Sequence, residues 1–213
     1  MHYCIITSGP VKDEAAKEIS GTVICADGGT DFAKKHGIIP SKVIGDLDSV
    51  SESGLAFISE NNIPVEKYDA EKDWTDTEIA LIGIPDGSDV KMVCPLGSRI
   101  DHMIGNIQIA SEHAKRLGSI MLTDGITRVY VLNGKGSIEV HGLDPDTAVS
   151  LVPLNFDTGV AGVTTQGLYY RLEDATLTAG KTLSFCNKPE DGAESISVSI
   201  ENGRLAVIVT KAV

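Results

Sequence analysis

Residues 43 to 50 read Val-Ile-Gly-Asp-Leu-Asp-Ser-Val, two apolar residues running into a glycine and then two carboxylates one residue apart. On an extended backbone side chains i and i+2 share a face, so Asp46 and Asp48 are expected to aim at one point. Like charges so placed repel unless something neutralises them. A turn is the plainer reading, since Asp and Ser favour turns; a divalent cation is the sharper one. Three further clusters bear on the choice. Asp27-Gly28-Gly29 follows Ile24-Cys25-Ala26, and Lys72-Asp73-Trp74-Thr75-Asp76 follows Val65–Tyr68 within a few residues. Pro95-Leu96-Gly97-Ser98-Arg99-Ile100-Asp101-His102 follows Val90–Cys94. Each stands between a strand-like run and a helix-like one. Open α/β sheets bind ligands beyond the carboxyl ends of their strands, so clusters at that address can share one crevice.

Every cluster also has a structural reading. Asp73-x-x-Asp76 and Thr75-x-x-Glu78 both resemble capping boxes, and Asp101 can cap the helix it opens. Gly28-Gly29 permits a tight turn, but also lets backbone N–H groups approach a phosphate. Arg99 is either a surface ion pair of little worth or a planar fork for phosphate oxygens. No second histidine stands at metal-binding spacing from His102, and oxygen donors suit Mg²⁺ better than Zn²⁺. A cation would also reconcile an acidic crevice with an anionic ligand by bridging carboxylates and phosphates.

The elements that must position these residues alternate. Strand-like runs occur at Tyr3–Thr7, Thr22–Ala26, Lys42–Ile44, Val65–Tyr68, Val90–Cys94 and Ser119–Thr123. Helix-like segments lie between them at Val11–Ile19, Thr30–His36, Ser51–Asn61, Thr75–Ile84 and Asp101–Leu117, with Gly37 and Gly118 placed as C-terminal caps. This predicts an α/β domain with a parallel, Rossmann-like sheet over residues 1–125. From Thr127 the pattern is strand and turn. Runs at Arg128–Leu132, Ser137–His141, Val149–Leu154, Leu168–Leu172, Lys181–Phe185, Ser195–Ile200 and Arg204–Val209 predict an all-β sandwich or small barrel over residues 126–213. Glu201-Asn202-Gly203 between the last two predicts a hairpin.

A chain of 213 residues with 42% hydrophobic and 23% charged residues is ordinary for a globular protein. A net charge of -12 argues against nucleic acid and anionic membrane surfaces, which require Lys and Arg. No apolar run is long enough to span a membrane, and Met-His-Tyr-Cys-Ile-Ile-Thr lacks a signal peptide's pattern. Cys4, Cys25, Cys94 and Cys186 are scattered, which fits a reduced, cytoplasmic setting. Ala175-Thr-Leu-Thr-Ala-Gly180-Lys181-Thr182 imitates a P-loop, but such a loop must follow a strand and open a helix; an all-β tract excludes it. The residues thus predict a Mg²⁺-dependent enzyme acting on a phosphorylated ligand.

Ala26-Asp27-Gly28-Gly29, Ile44-Gly45-Asp46-Leu47-Asp48-Ser49, Lys72-Asp73-Trp74-Thr75-Asp76 and Leu96-Gly97-Ser98-Arg99-Ile100-Asp101-His102, in that order, resemble the motif set of thiamine pyrophosphokinases. The likeness extends to Ser150-Leu151-Val152-Pro153-Leu154, Gly167-Leu168-Tyr169-Tyr170 and Cys186-Asn187. It implies a catalytic α/β domain, a β-sandwich that binds thiamine and dimerises, and transfer of the pyrophosphoryl group of ATP to the thiamine hydroxyl with release of AMP. By the same resemblance Asp46, Asp48 and Asp76 hold Mg²⁺. Asp73, Asp76 and Asp101 serve catalysis, with the proton acceptor undecided; Asp27, Gly28, Arg99 and Asn106 lie along ATP; Cys186 and Asn187 face thiamine in a homodimer. Ser98 replaces a family glycine and Cys186 a serine. The only tryptophan is Trp74, so Tyr169, Tyr170 or Phe185 is the expected partner for stacking on thiamine. The alternatives are a Mg²⁺-dependent phosphohydrolase, a kinase for another alcohol, and a non-enzymatic cation-binding module.

Overall fold

The structure is a computed structural model that describes residues 1–211. The chain divides into two units. One comprises residues 1–109 and 116–125, the other residues 110–115 and 126–213.

In the first unit six parallel strands form: β1 (His2–Ile6), β2 (Thr22–Ala26), β3 (Lys42–Gly45), β4 (Val65–Lys67), β5 (Asp89–Val93) and β6 (Ser119–Thr123). Their order is β4-β3-β2-β1-β5-β6. The chain winds outward from β1 in one direction and then resumes at β5 on its other side. The gap between the carboxyl ends of β1 and β5 is therefore the switch point where such sheets open a crevice. Helices α1 (Gly29–Lys35), α2 (Glu52–Glu60), α3 (Asp76–Ile82) and α4 (Ile100–His113) connect the strands. Cys4, Ile6, Val23, Cys25 and Val43 pack with Ala33 of α1 and Ile58 of α2 in one core cluster. The predicted first helix is a short 3-10 turn, Asp13–Glu18, with no side-chain cap and only Ala15 buried. Gly37 closes α1 as expected, its N–H donating to Lys34 O. Gly118 does not end α4, which stops at His113; its N–H donates to Ser88 O.

The second unit is a sandwich. β7 (Thr127–Asn133), β13 (Arg204–Thr210) and β9 (Ala148–Pro153) are antiparallel, with β13 central. β8 (Gly136–His141), β12 (Ser195–Ile200), β10 (Val160–Gln166) and β11 (Ala175–Leu177) form the other sheet in the order β11-β10-β12-β8. Ile196, Val198 and Ile200 turn inward between exposed-side serines and meet Leu151, Leu205 and Val207 in one buried core.

Three expectations fail here. β12 and β13 do not form a hairpin; the Asn202-Gly203 turn carries the chain from one sheet to the other. Asn202 bridges Ala161, and Gly203 O accepts from Gly134 N–H, where β7 leaves for the opposite sheet. Leu168–Leu172 and Lys181–Phe185 are irregular; Gly167, just before the first, and Ser184, within the second, hold left-handed backbones. β10 and β11 were not legible, since β10 carries a register shift at Gly162, whose φ is +69°.

Candidate active site

A cavity of about 690 Å³ opens in the first unit beyond the carboxyl ends of its strands, within the size range of small-molecule sites. β1 delivers Thr7 and Ser8 to it, β2 delivers Asp27, and β3 delivers Asp46 and Asp48. The start of α3 brings Lys72, Trp74, Asp76 and Glu78, while the turn before α4 and the helix itself bring Ser98, Arg99, Asp101 and Asn106. The four motifs therefore do share one crevice.

Within it Asp27, Asp46 and Asp76 each offer a carboxylate oxygen, and the three atoms lie within 4.8 Å of one another. They come from three separate elements. Gly45 makes the convergence possible. A Cβ there would stand 3.1 Å from both Asp27 Cβ and Asp76 Cγ, and its φ of +144° is one that other residues rarely adopt.

Asp48 stands outside this group. The expectation that Asp46 and Asp48 share an extended face fails because Leu47 is left-handed, with a φ of 69°. Asp46 Oδ1 accepts from the Asp48 N–H at 3.2 Å, which closes an Asx turn, and Asp48 accepts from its neighbour Ser49 Oγ. The turn reading of this motif holds, and the expected pairing of Asp46 with Asp48 on one face does not. The convergence runs through Asp46 with Asp27 and Asp76.

The electrostatics of the group are strained. Asp27 is only 6% exposed. Burial pushes its carboxyl up, with the charges of Asp48 and Asp76 adding to the effect and the Ser49 and Gly28 contacts partly offsetting it. Asp27 Oδ1 and Asp76 Oδ1 are buried without a hydrogen-bond partner. Lys72 Nζ lies 3.2 Å from Asp76 Oδ1, a charge contact without hydrogen-bond alignment, and donates instead to Asp69 O. Buried carboxylate oxygens with no donor are costly. Hard oxygen donors so placed fit a small divalent cation such as Mg²⁺.

The helix start has its own logic. Thr75 caps α3, its Oγ1 accepting from the Glu78 N–H, while Asp76 and Glu78 favour the positive helix end. Thr75-x-x-Glu78 is thus the cap, and Asp76 is left free to face the cavity. Asp73, an expected catalytic residue, is exposed and is not among the cavity's lining residues.

Arg99 does not point an open fork at the cavity. Its Nε and Nη2 bind Asp101 Oδ1 and Oδ2 at 3.0 and 2.6 Å. That pair holds the Asp101 carboxyl well below the usual carboxylate range, which makes it a poor proton acceptor. Gly28, expected to approach ATP, does not line the cavity; a Cβ on it would press on Ser49 O at 2.7 Å and Ser8 Oγ at 2.9 Å. Asn106 does line it, and its amide also reaches Cys94, whose thiol burial pushes up to about 12.

In the second unit Asn187 is 3% exposed and its amide makes three hydrogen bonds. Oδ1 accepts from the N–H groups of Tyr170 and Lys188, and Nδ2 donates to Tyr170 O at 2.7 Å. The side chain latches the 168–170 turn instead of facing outward. Cys186 is exposed, with a left-handed backbone.

Sequence reasoning passed over Lys72, Glu78 and Thr7 as site residues. Thr7 ends a buried run, and its Oγ1 has no partner although it lines the cavity. Its only signal was its place one residue beyond β1.

Fold and site together define a two-unit protein with an acidic, oxygen-donor crevice suited to cation-assisted phosphoryl transfer. Comparison with known proteins narrows the class. The family model "Thiamin pyrophosphokinase, catalytic domain" matches residues 15–122, and "Thiamin pyrophosphokinase, vitamin B1 binding domain" matches residues 138–205. The chain belongs to the thiamin pyrophosphokinase family. It is 29% identical over 167 residues to the thiamine pyrophosphokinase of Bacillus subtilis (strain 168), covering 78% of this chain and 77% of that protein. A crystal structure of a Bacillus subtilis thiamine pyrophosphokinase superposes with a TM-score of 0.83 at 24% identity, covering 100% of both chains. The Candida albicans enzyme superposes with a TM-score of 0.79 at 14% identity, over 99% of this chain and 90% of that one.

Proposed function

We propose that this enzyme transfers the pyrophosphoryl group of ATP to the hydroxyl of thiamine, giving thiamine pyrophosphate and AMP. The observation that carries the reading is the convergence of Asp27, Asp46 and Asp76, with two buried oxygens left without donors, in a chain of this family. These three residues would hold Mg²⁺, with Asp48 beside them; the ion, when bound, neutralises the polyphosphate and makes it a better electrophile. Asp48 is kept as a neighbour because its charge reaches Asp27.

The protein's own contribution is positioning and charge. The thiamine hydroxyl oxygen attacks the β-phosphorus of ATP, the bond from that phosphorus to the α–β bridging oxygen breaks, AMP leaves with that oxygen, and the hydroxyl proton is released. Lys72 is placed to follow negative charge as it shifts across the phosphates, since its ammonium already rests against Asp76. Arg99 can take a phosphate oxygen only by releasing Asp101. Asp101 is a weak candidate base while that pair is intact, and Asp73 lies off the cavity lining, so Asp76 is the best supported of the expected catalytic residues. Asn106 would border the nucleotide.

Residues 1–125 are assigned ATP and Mg²⁺ binding, and residues 126–213 thiamine binding and dimerisation; the two matched family models support this division. The homodimer rests on the family alone. Free buried thiols at Cys4, Cys25 and Cys94 support a reducing, cytoplasmic setting. Among the described residues no helix is long and apolar enough to cross a membrane.

Product analysis tests the reading. Purified protein with Mg²⁺-ATP should yield AMP and thiamine pyrophosphate in equal amounts, and only when thiamine is present. ADP with thiamine monophosphate, or phosphate release without thiamine, would reassign it to a kinase or phosphohydrolase.

A further inference from the structure

Trp74 has no structural explanation in the fold. It precedes the Thr75 cap, so α3 does not require it, and it is 54% exposed. Large apolar side chains this exposed lose the burial that would stabilise them. Yet it lines the acidic cavity together with Lys72, Asp76 and Glu78. An indole face carries a negative quadrupole and attracts cations, most strongly among the aromatic side chains. Flanking carboxylates reinforce the same preference. The wall so formed suits a flat, positively charged ring, since the Lys72 ammonium in the same wall is already paired with Asp76.

We infer that Trp74 stacks on the cationic thiazolium ring of thiamine and so holds the acceptor hydroxyl against the phosphates. The inference rests on thiamine being the acceptor and adds a residue of the first unit to its recognition. The reach is right. Thr75 is extended, with a ψ of 155°, so the backbones of Trp74 and Asp76 are separated by at most about 7 Å. The reacting hydroxyl of thiamine is joined to its thiazolium ring by two carbons. A hydroxyl delivered to the phosphates beside Asp76 therefore leaves its ring within the sweep of the Trp74 indole. The aromatic partner expected in the second unit (Tyr169, Tyr170 or Phe185) is not needed for this contact.

Because Trp74 is the only tryptophan in the chain, its fluorescence reads the contact without any substitution. Indole emission would be followed while thiamine, or a non-hydrolysable ATP analogue with Mg²⁺, is titrated, with calorimetry run in parallel. Thiamine is expected to quench the indole with a midpoint equal to its calorimetric Kd, and the nucleotide alone is expected to leave emission nearly unchanged. In turnover, Trp74→Ala should raise KM for thiamine about 3- to 30-fold, the span of cation–π contacts from exposed to desolvated, with KM for ATP and kcat held within about 2-fold. Trp74→Phe should fall between. Binding of thiamine by calorimetry with unchanged emission would overturn the placement while leaving the reaction intact. Quenching by the nucleotide alone would assign the indole to the adenine. Absence of any thiamine binding would overturn the substrate reading and this inference with it.

Discussion

Replacing Asp27 with Asn should make the metal-free protein more stable and abolish its response to Mg²⁺. Asp27 holds a left-handed backbone with a φ of 48°, a conformation Asn tolerates as well as Asp, so the change removes charge with little backbone strain. Its carboxylate faces those of Asp46 and Asp76 at up to 4.8 Å. At an effective dielectric near 20, two unit charges at that separation repel by about 3.5 kcal/mol. Lys72, resting against Asp76, returns part of this, and the loss of a full charge from a buried position adds a further gain. A net stabilisation of about 1–2 kcal/mol in EDTA is expected, or roughly 3–6 °C in Tm for a chain of this size. The wild type should gain about 2.7 kcal/mol when Mg²⁺ is present at a hundred times its Kd, and Asp27→Asn should gain almost nothing. Thermal unfolding in EDTA and in Mg²⁺, for both proteins, measures all four values. An Asn variant with unchanged Tm in EDTA and an intact Mg²⁺ shift would refute the assignment of Asp27 to the cation.

Two further outcomes are expected. Asn187→Ala should destabilise the second unit by about 1–2 kcal/mol, because it strips the part-buried backbone N–H and C=O of Tyr170 of their partner; a rise in KM for thiamine at unchanged stability would instead place the amide on the ligand. Asp101 should titrate well below an ordinary aspartate, and Arg99→Gln should return it to the usual range. Since the folded value is depressed, the contribution of that pair to stability is present above the usual carboxylate range and is lost as pH falls through the folded value. An NMR titration of the Asp101 carboxyl follows this directly, and an ordinary value in the wild type would show that Arg99 is not bound to it in solution.

Much of the site was legible because acidic clusters recurred just past apolar runs, and a doubly wound sheet gathers such positions at one edge. Most strand assignments of the first unit held because the central strands are buried on both faces and read as continuous apolar runs, as in Val43-Ile44 or Met92-Val93, whereas the edge strand β4 is exposed. The second unit was harder. Ser195–Ile200 alternates and was found, but β10, with Ala-Gly-Val-Thr-Thr, bends at a bulge and shows neither period clearly. The Asn-Gly signal at residues 202–203 was real as a turn, but a turn does not specify which sheet the next strand joins.

The sequence by itself determined the layering, the family motifs and the oxygen-donor chemistry of the crevice, because periodicity and residue type are local properties. Only the tertiary structure decided which carboxylates meet. Spacing favoured Asp46 with Asp48, but one left-handed residue, Leu47, turned their backbone, and Gly45 opened the space through which Asp27 and Asp76 converge on Asp46. In the same way an asparagine expected to meet ligand is consumed by Tyr170, and an arginine expected to meet phosphate is held by Asp101. The partner of a polar side chain is set by whatever the fold brings within about 3 Å of it, and that distance is not written in the order of the residues.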